Sequence, residues 1–520
     1  MRRFRKAITA VLIIVPGVAG GWVLRSLAPE SNARVFGQVL QLVSQESLKG
    51  LSEDEIYERA ARGLVDRLED PYADLYSAEE LATFSREQLN SAYGGLGMQI
   101  EDQQGTITVT RVFPSTPAER GGVRAGDRVI AVNGESTRGL KLEEVSGRLI
   151  GEPGTTVEAS FARAGMPEPI RGTFTRAIVH VPAVPYGIVL DGGVGYLPLQ
   201  RFNEDATRDV VSTLRSLQAR GAKSFVIDVR GNTGGALDEA LMISNLFLKA
   251  GQEISRVEYR DREPDVYTAR NATLLPDAPL AVLTDGYSAS ASEIVAGALQ
   301  DHDRAIVVGT TSFGKGLVQQ IYQLDGGWAM KMTTGAWLTP VGRSLQRECN
   351  EDGSPVAADT AARPEFQSTG GRVVYGGGGI TPDLVVRPDT LDNAEQEFSR
   401  ILGSQGQLFY IAVYDQALAV KDGVASDFTV KPEWRDELFA RMQRAELPVT
   451  RAQFDAARAL VDRNLEQRVA GLAFGDSASF RRFVPYDAQL RAAVDLLKQA
   501  ASQRELYAVL DRRNAARRSD

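Results

Sequence analysis

The sequence predicts an α/β multidomain protein: a central α/β unit preceded by a β-rich domain, with helical regions at both ends. Three observations lead there. The chain has 520 residues, 43% of them hydrophobic, which is more than one compact core normally takes. Between Gly192 and Pro382, β-branched runs alternate with amphipathic stretches, as expected of strands joined by crossover helices. Before that unit, the break Gly94-Gly95-Leu96-Gly97 opens a run of short alternating segments, the pattern of half-buried strands. The expected boundaries are an export signal or membrane anchor over 1–30, a helical region over 31–90, the β-rich domain over 91–180, the α/β unit over 181–390 and a helical region over 391–520.

The N-terminus carries Arg2, Arg3, Arg5 and Lys6 ahead of a largely apolar run, 7–24, that contains Pro16, Gly17, Gly20 and Gly21. A spanning helix needs ~17–25 apolar residues, and basic-then-apolar is also the layout of a cleaved export signal. Both readings hold the basic residues in the cytoplasm and send everything after Leu24 across the membrane, so the expected location is the cell envelope, periplasmic or otherwise extracytoplasmic. Over 32–89 the apolar spacing is helical (Val39, Leu40, Leu42, Val43; Ile56, Ala60, Leu64), and Ser52 with Glu55 forms a capping box. Residues 106–110 alternate as a strand, and Pro182 and Pro185 mark a linker. In the α/β unit, 224–229, 280–284 and 305–308 read as strands, and 236–249 and 292–300 as helices. Beyond Asp389 the chain is charged and helical, ending in Arg512, Arg513, Arg517 and Arg518, read as a solvated helix or frayed tail.

Composition narrows the function classes. A net charge of −8 with both signs mixed along the chain lacks the basic footprint of a nucleic-acid binder. One cysteine, Cys349, excludes an intrachain disulfide, and with only His180 and His302 beside it a His/Cys metal site is not expected. Neither histidine lies in a catalytic motif; His302, in Gln-Asp-His-Asp, reads as a solvated helix end. No metal and no organic cofactor is implied.

Three segments carry chemistry. In Asp285-Gly-Tyr-Ser-Ala-Ser290-Ala-Ser-Glu293, a strand meets a helix. Ser290 with Glu293 is a capping box, yet a serine at such a turn also stands beside free N–H groups and the positive helix end, which suit an oxyanion. In Ser312-Phe-Gly-Lys315-Gly316, two glycines flank a lone lysine. An ordinary lysine, with pKa ~10.4, is no base at neutral pH; cover from Phe313, Leu317 and Val318 would have to desolvate it, and otherwise it is a surface lysine on a turn. In Asp228-Val-Arg-Gly-Asn-Thr-Gly234-Gly235, adjacent glycines either bring amides to an oxyanion shared with the N–H of Ala291 or make a plain tight turn.

Taken in order, these segments resemble the signature blocks of the C-terminal processing, or tail-specific, peptidases: Asp-x-Arg-x-Asn-x-Gly-Gly, then Ser-Ala-Ser-Ala-Ser-Glu, then Phe-Gly-Lys-Gly, with Lys315 25 residues after Ser290. The resemblance extends from Leu68 to Asp383 and includes 195–202, 333–344 and 378–383. It implies a ClpP/crotonase-like serine protease core with Ser290 as nucleophile, Lys315 as general base and Gln319 orienting the lysine. The amides of Gly234 (or Gly235) and Ala291 would form the oxyanion hole. The β-rich segment resembles a PDZ domain, with Gly95, Leu96, Gly97 and Met98 as its carboxylate-binding loop and 117–134 as its most recognisable stretch. Two positions depart from the family pattern: Thr233, where Pro or Ser is usual, and Ile150, where many members place Arg before Gly151. The implied activity is endoproteolysis of exported proteins recognised by their C-terminal tails. Protein or peptide tails are the expected partners, the membrane is engaged through the N-terminal segment, and a homo-oligomer is left open. A non-catalytic PDZ scaffold on a protease fold is the alternative, and a crotonase-like acyl-thioester enzyme a third reading.

Overall fold

The computed structural model describes residues 30–519 apart from Gln104, Pro114, 164–165 and 349–362. The apolar run 7–24, on which the export reading rests, and Cys349 lie outside the described residues. Among those described, no helix is long and apolar enough to cross a membrane. The chain divides into two compact units, residues 1–77 with 321–332, and residues 78–320 with 333–520.

In the first unit, helices Glu30–Glu46 and Glu53–Asp66 follow the expected spacing. The predicted capping box forms: the Ser52 hydroxyl accepts from the Glu55 N–H at 3.3 Å and the Glu55 carboxylate accepts from the Ser52 N–H at 2.8 Å. Strand Asp74–Tyr76 pairs antiparallel with 329–331, and Lys331 Nζ donates to the Tyr76 hydroxyl at 2.7 Å.

The second unit is built on a six-stranded sheet. Its order is Ile188–Leu190, Val194–Pro198, Ser224–Asp228, Leu280–Thr284, Ile306–Gly309, Leu384–Val385, and every pair except the first is parallel. Strands Val194–Pro198, Ser224–Asp228 and Leu280–Thr284 are buried at every residue, which explains why they read as continuous apolar runs: a parallel sheet must be covered on both faces. One face packs on helices Ala206–Ala219, Leu237–Asn245 and Ala291–Asp301 through Val210, Leu214, Ile243 and Val295. The other is covered by the end of the chain, where Leu490, Ala493, Leu497, Leu506 and Leu510 pack on Val226, Leu283 and Val308. The last helices are thus the second cover of the sheet up to Leu510, and beyond it the helix Gln503–Ser519 runs out with Asp511 and Arg512 exposed.

The β-rich domain is a sheet in the order Met98–Asp102, Ile107–Val112, Arg128–Val132, Thr156–Ala162, Ile170–Thr175, closed by helix Leu142–Leu149. Its core is Val109, Val129, Val145 and Phe161, with Phe161 edge-on to Phe174 at 5.9 Å. Helices between Asn393 and Phe474 have a core of their own around Phe398, Leu438, Phe454 and Val461. They meet the β-rich domain at Tyr414, whose hydroxyl donates to the carbonyls of Val109 and Thr110 at 3.2 and 3.3 Å.

Candidate active site

Parallel strands deliver their following loops to one edge of the sheet, the usual place for a site in an open α/β fold. Here three such loops converge: 229–236 after Ser224–Asp228, 285–290 after Leu280–Thr284, and 310–316 after Ile306–Gly309. They are the three chemistry-bearing segments of the sequence.

Ser290 immediately precedes helix Ala291–Asp301 with φ 54° and ψ −115°. A non-glycine residue held there costs on the order of 1–3 kcal/mol and persists only where its surroundings over-determine it. They do. Asp285 Oδ1 accepts from the N–H groups of Tyr287 at 2.9 Å, Ser288 at 3.0 Å and Gly231 at 3.0 Å. The Ser288 hydroxyl donates to the Val229 carbonyl and the Ser292 hydroxyl to the Asn232 carbonyl, both at 2.8 Å. Gly234 marks the closest approach: a Cβ added to it would lie 2.9 Å from the Ala289 carbonyl oxygen and 3.0 Å from Ser290 Cβ. Only glycine lets these loops touch.

Glu293, one turn into the helix, is fully buried and joins the serine to the lysine. Its Oε2 accepts from the Ser290 N–H at 2.9 Å and from the Lys315 N–H at 2.8 Å. Its Oε1 accepts from the Ser312 hydroxyl at 2.5 Å and the Gly314 N–H at 2.7 Å. Because Ser290 and Lys315 share one oxygen atom, their backbone nitrogens lie no farther apart than those two bonds laid end to end. Burial pushes the Glu293 carboxyl above its ordinary range, against the pull of its hydrogen bonds. The sequence marked Glu293 only as a helix cap; the signal for its wider role was its place three residues after Ser290, which did not reveal the loop it reaches.

Lys315 is half-buried, and its carbonyl accepts from Trp337 Nε1 at 3.0 Å. Its flanking glycines are required by space: a Cβ would come within 2.9 Å of the Gly379 nitrogen at Gly314 and of the Gln346 nitrogen at Gly316. Gln319, on strand Leu317–Gln323, donates from Nε2 to Thr333 Oγ1 at 3.3 Å.

Of the two expected oxyanion donors, the Ala291 N–H has no acceptor among the described residues, as befits the first residue of a helix. The Gly234 N–H differs from expectation: it donates to Asn232 Oδ1 at 2.9 Å, while Asn232 Nδ2 donates to the Leu199 carbonyl at 2.7 Å. In this conformation that amide is committed to the loop itself. The Asp-x-Arg part of the same block points elsewhere. Arg230 lies between Asp228 and Asp487, donating to the first at 2.9 and 2.6 Å and to the second at 2.9 and 2.7 Å, with a further bond to Gln489 at 2.9 Å. It ties the glycine-rich loop to helix Ala488–Leu497.

The histidines stand apart. His180 ends strand Ala177–His180, and His302 is not a solvated helix end: Nε2 pairs with the Glu253 carbonyl at 2.7 Å and Nδ1 with Thr369 Oγ1 at 3.2 Å. Among the described residues no three His, Cys, Asp or Glu side chains group as a metal site would need.

A second groove lies in the β-rich domain, between edge strand Met98–Asp102 and helix Leu142–Leu149, lined by Tyr93, Leu96, Gly97, Met98, Leu149 and Ile150. The strand has one neighbour in its sheet, so its other edge is open to an added strand. Gly97 takes φ 78°, and a Cβ there would lie 2.3 Å from Thr116 Cβ. Gly95 falls outside the groove, in strand Ala92–Gly95 opposite Ala177. With Ile150 in place of a basic residue, the cation beside Gly151 is Arg176, already donating to the carbonyls of Leu149 at 3.0 Å and Arg148 at 2.9 Å.

Comparison with known proteins accords with both grooves. A sequence model of Peptidase family S41 matches residues 193–354 and one of the PDZ domain matches residues 108–163. The carboxy-terminal processing protease CtpA of Bacillus subtilis (strain 168) is 31% identical over 319 residues, 61% of this chain and 68% of the relative. A carboxy-terminal-processing protease of Bartonella bacilliformis is 34% identical over 315 residues, 60% of this chain and 72% of the relative. Among solved structures, a photosystem II D1 C-terminal processing protease aligns at 25% identity over 71% of this chain and 90% of its own, with a TM-score of 0.38. The chain belongs to peptidase family S41, as a carboxy-terminal processing protease with a PDZ domain.

Proposed function

We propose that the protein is a serine endopeptidase with a Ser290/Lys315 dyad that takes the C-terminal tails of exported proteins through its PDZ domain. Ser290 Oγ attacks the scissile carbonyl while neutral Lys315 Nζ takes its proton. The Ala291 N–H, at the positive end of its helix, donates a hydrogen bond to the developing oxyanion. The second donor comes from the glycine-rich loop, either Gly234 after exchanging its bond with Asn232 or Gly235. Lys315 returns the proton to the departing amine, and an acyl-enzyme on Ser290 remains. Water then attacks the ester as it loses a proton to Lys315, and Lys315 passes that proton to Ser290 Oγ as the acyl bond breaks and the acid product leaves. Gln319 steadies the lysine side chain.

The observation that carries this reading is the single oxygen of Glu293 shared by the backbones of Ser290 and Lys315, joined to the backbone strain at Ser290. Strain held at a turn before a helix recurs at catalytic serines. An adaptor would have no use for it. The open edge of Met98–Asp102 supports tail binding by strand addition, with Leu96, Gly97 and Met98 facing the tail carboxylate. The basic-then-apolar N-terminus supports export.

The test is cleavage of an unfolded protein with a free apolar C-terminus by the chain and by its Ser290→Ala and Lys315→Ala forms. Loss of turnover in both is expected; full turnover in either overturns the dyad. Alkaline phosphatase fused after residue 30 should be active only if the segment exports it.

A further inference from the structure

Arg201 lies in the loop after strand Val194–Pro198, at the same edge of the sheet as Ser290, and has no part in the dyad. Its Nε is shielded from solvent with no hydrogen-bond partner, and the guanidinium makes no ion pair with any described residue. Three more deeply buried arginines are matched by acids, Arg230 by Asp228 and Asp487, Arg343 by Asp301, Arg372 by Asp303 and Asp383, and Arg304, whose Nε is likewise unpartnered, donates from its other nitrogens to the Leu275 carbonyl and Gln503. Arginine cannot shed its proton inside a protein, so it cannot escape burial by neutralising itself. Burial alone acts on Arg201, pulling its pKa down with no opposing charge.

The position is close to the chemistry. Next to Arg201, the Phe202 carbonyl accepts from the Ala236 N–H at 2.8 Å, and a Cβ on Gly235 would lie 2.4 Å from that oxygen. Gly234, the next residue back, is the one that touches Ser290. A peptide laid over the glycine-rich loop therefore passes the loop of Arg201. An unmatched guanidinium, with its fork of donors, fits a carboxylate.

We infer that Arg201 is a specificity-determining residue that receives a carboxylate of the substrate, an Asp or Glu side chain flanking the scissile bond. The inference rests on the reading of Ser290 as a peptidase nucleophile. The tail's own carboxylate has a separate place in the PDZ groove, which leaves a side chain as the source.

The test uses the full chain and a series of peptides with one apolar tail. Each carries a single Glu or Gln at one of the three positions on either side of the bond, and one further pair differs in a free or amidated C-terminus. In the parent, kcat/KM should favour Glu over Gln by about tenfold at one position, the scale of one charge-assisted hydrogen bond. Arg201→Gln should bring that ratio to about one, and Arg201→Lys should keep part of it. A ratio cancels any difference in how much of a variant folds. A parent ratio near one at every position, or a ratio that survives in Arg201→Gln, overturns the inference, as does a preference confined to the free C-terminus. Cleavage of the Gln peptides that persists in Ser290→Ala, or no cleavage at all, removes the peptidase reading itself and the inference with it.

Discussion

The loop that carries Ser290 and the loop that carries Gly97 both set glycine beside a groove, but they are held in different ways. At Ser290, a buried carboxylate with four donors, an aspartate with three backbone partners and an asparagine using both ends of its amide fasten three loops together. At Gly97, the Leu96 carbonyl accepts from the Ala118 N–H at 2.8 Å and the Gly97 carbonyl from the Phe113 N–H at 2.9 Å and the Thr116 hydroxyl at 3.2 Å, and the groove beside them is lined mostly by apolar side chains along an open strand edge. Displacing a reacting group by about 1 Å can cost about a hundredfold in rate, whereas a tail that binds as a strand needs an edge left unfilled. Rigidity and vacancy each follow from the job.

The contrast breaks most directly at Glu293. Glu293→Ala leaves four donors without their acceptor, each worth about 1–3 kcal/mol when buried. Peptide cleavage should fall at least about a hundredfold, and the urea midpoint should drop, while binding of a tail peptide to the PDZ groove is retained. Glu293→Gln sharpens the point through pH. A carboxyl whose folded pKa is raised contributes stability that is full below its unfolded value, near 4.5, and is lost as pH rises through the folded pKa. The melting temperature of the parent relative to Glu293→Gln should therefore fall as pH rises from 4 to 7; a difference independent of pH contradicts a raised pKa.

Next in size is Arg230→Ala, which strands Asp228 and Asp487, 8% and 4% exposed. Breaking a buried ion pair from one side costs about 3–5 kcal/mol, measured by denaturant unfolding, and activity should fall with it because the glycine-rich loop loses its tether. On the recognition side, Ile150→Asp places a charge in an apolar groove. It should weaken tail-peptide binding by about tenfold, or about 1.4 kcal/mol, in a titration, with kcat on a short untailed peptide little changed. The smallest effect is expected for Arg111→Ala, whose ion pair with Asp476 at 2.7 Å is 42% and 34% exposed; a change of about 0.5 kcal/mol or less is the norm for such a pair.

Much of this was legible in the sequence because it is local. Strand Leu280–Thr284 has the expected bounds, and the box at Ser52 forms as read. At Ser290, cap and nucleophile looked like rival explanations. In the structure Glu293 does more than cap: the oxygen that accepts from the Ser290 N–H also reaches the lysine loop. What escaped the sequence is long-range or rotational. Nothing local to Arg230 indicates Asp487, and the turn of the Asn232 amide toward Gly234 goes with its bond to the Leu199 carbonyl, a side-chain contact that a motif does not encode.

 His302 looked exposed because its partners, Glu253 and Thr369, lie on other elements. The C-terminal helices carried no motif because their contribution is a packed face.

The clamp between Arg230 and Asp487 also orders events in time. A ribosome makes the glycine-rich loop, Ser290 and Lys315 well before it reaches Asp487, and that aspartate also caps helix Ala488–Leu497 by accepting from the Leu490 N–H at 3.0 Å. A growing chain thus holds Ser290 and Lys315 while the second cover of its sheet is still unmade. The tether arrives with helix Ala488–Leu497, so the glycine-rich loop is fastened only after Asp487 has been made.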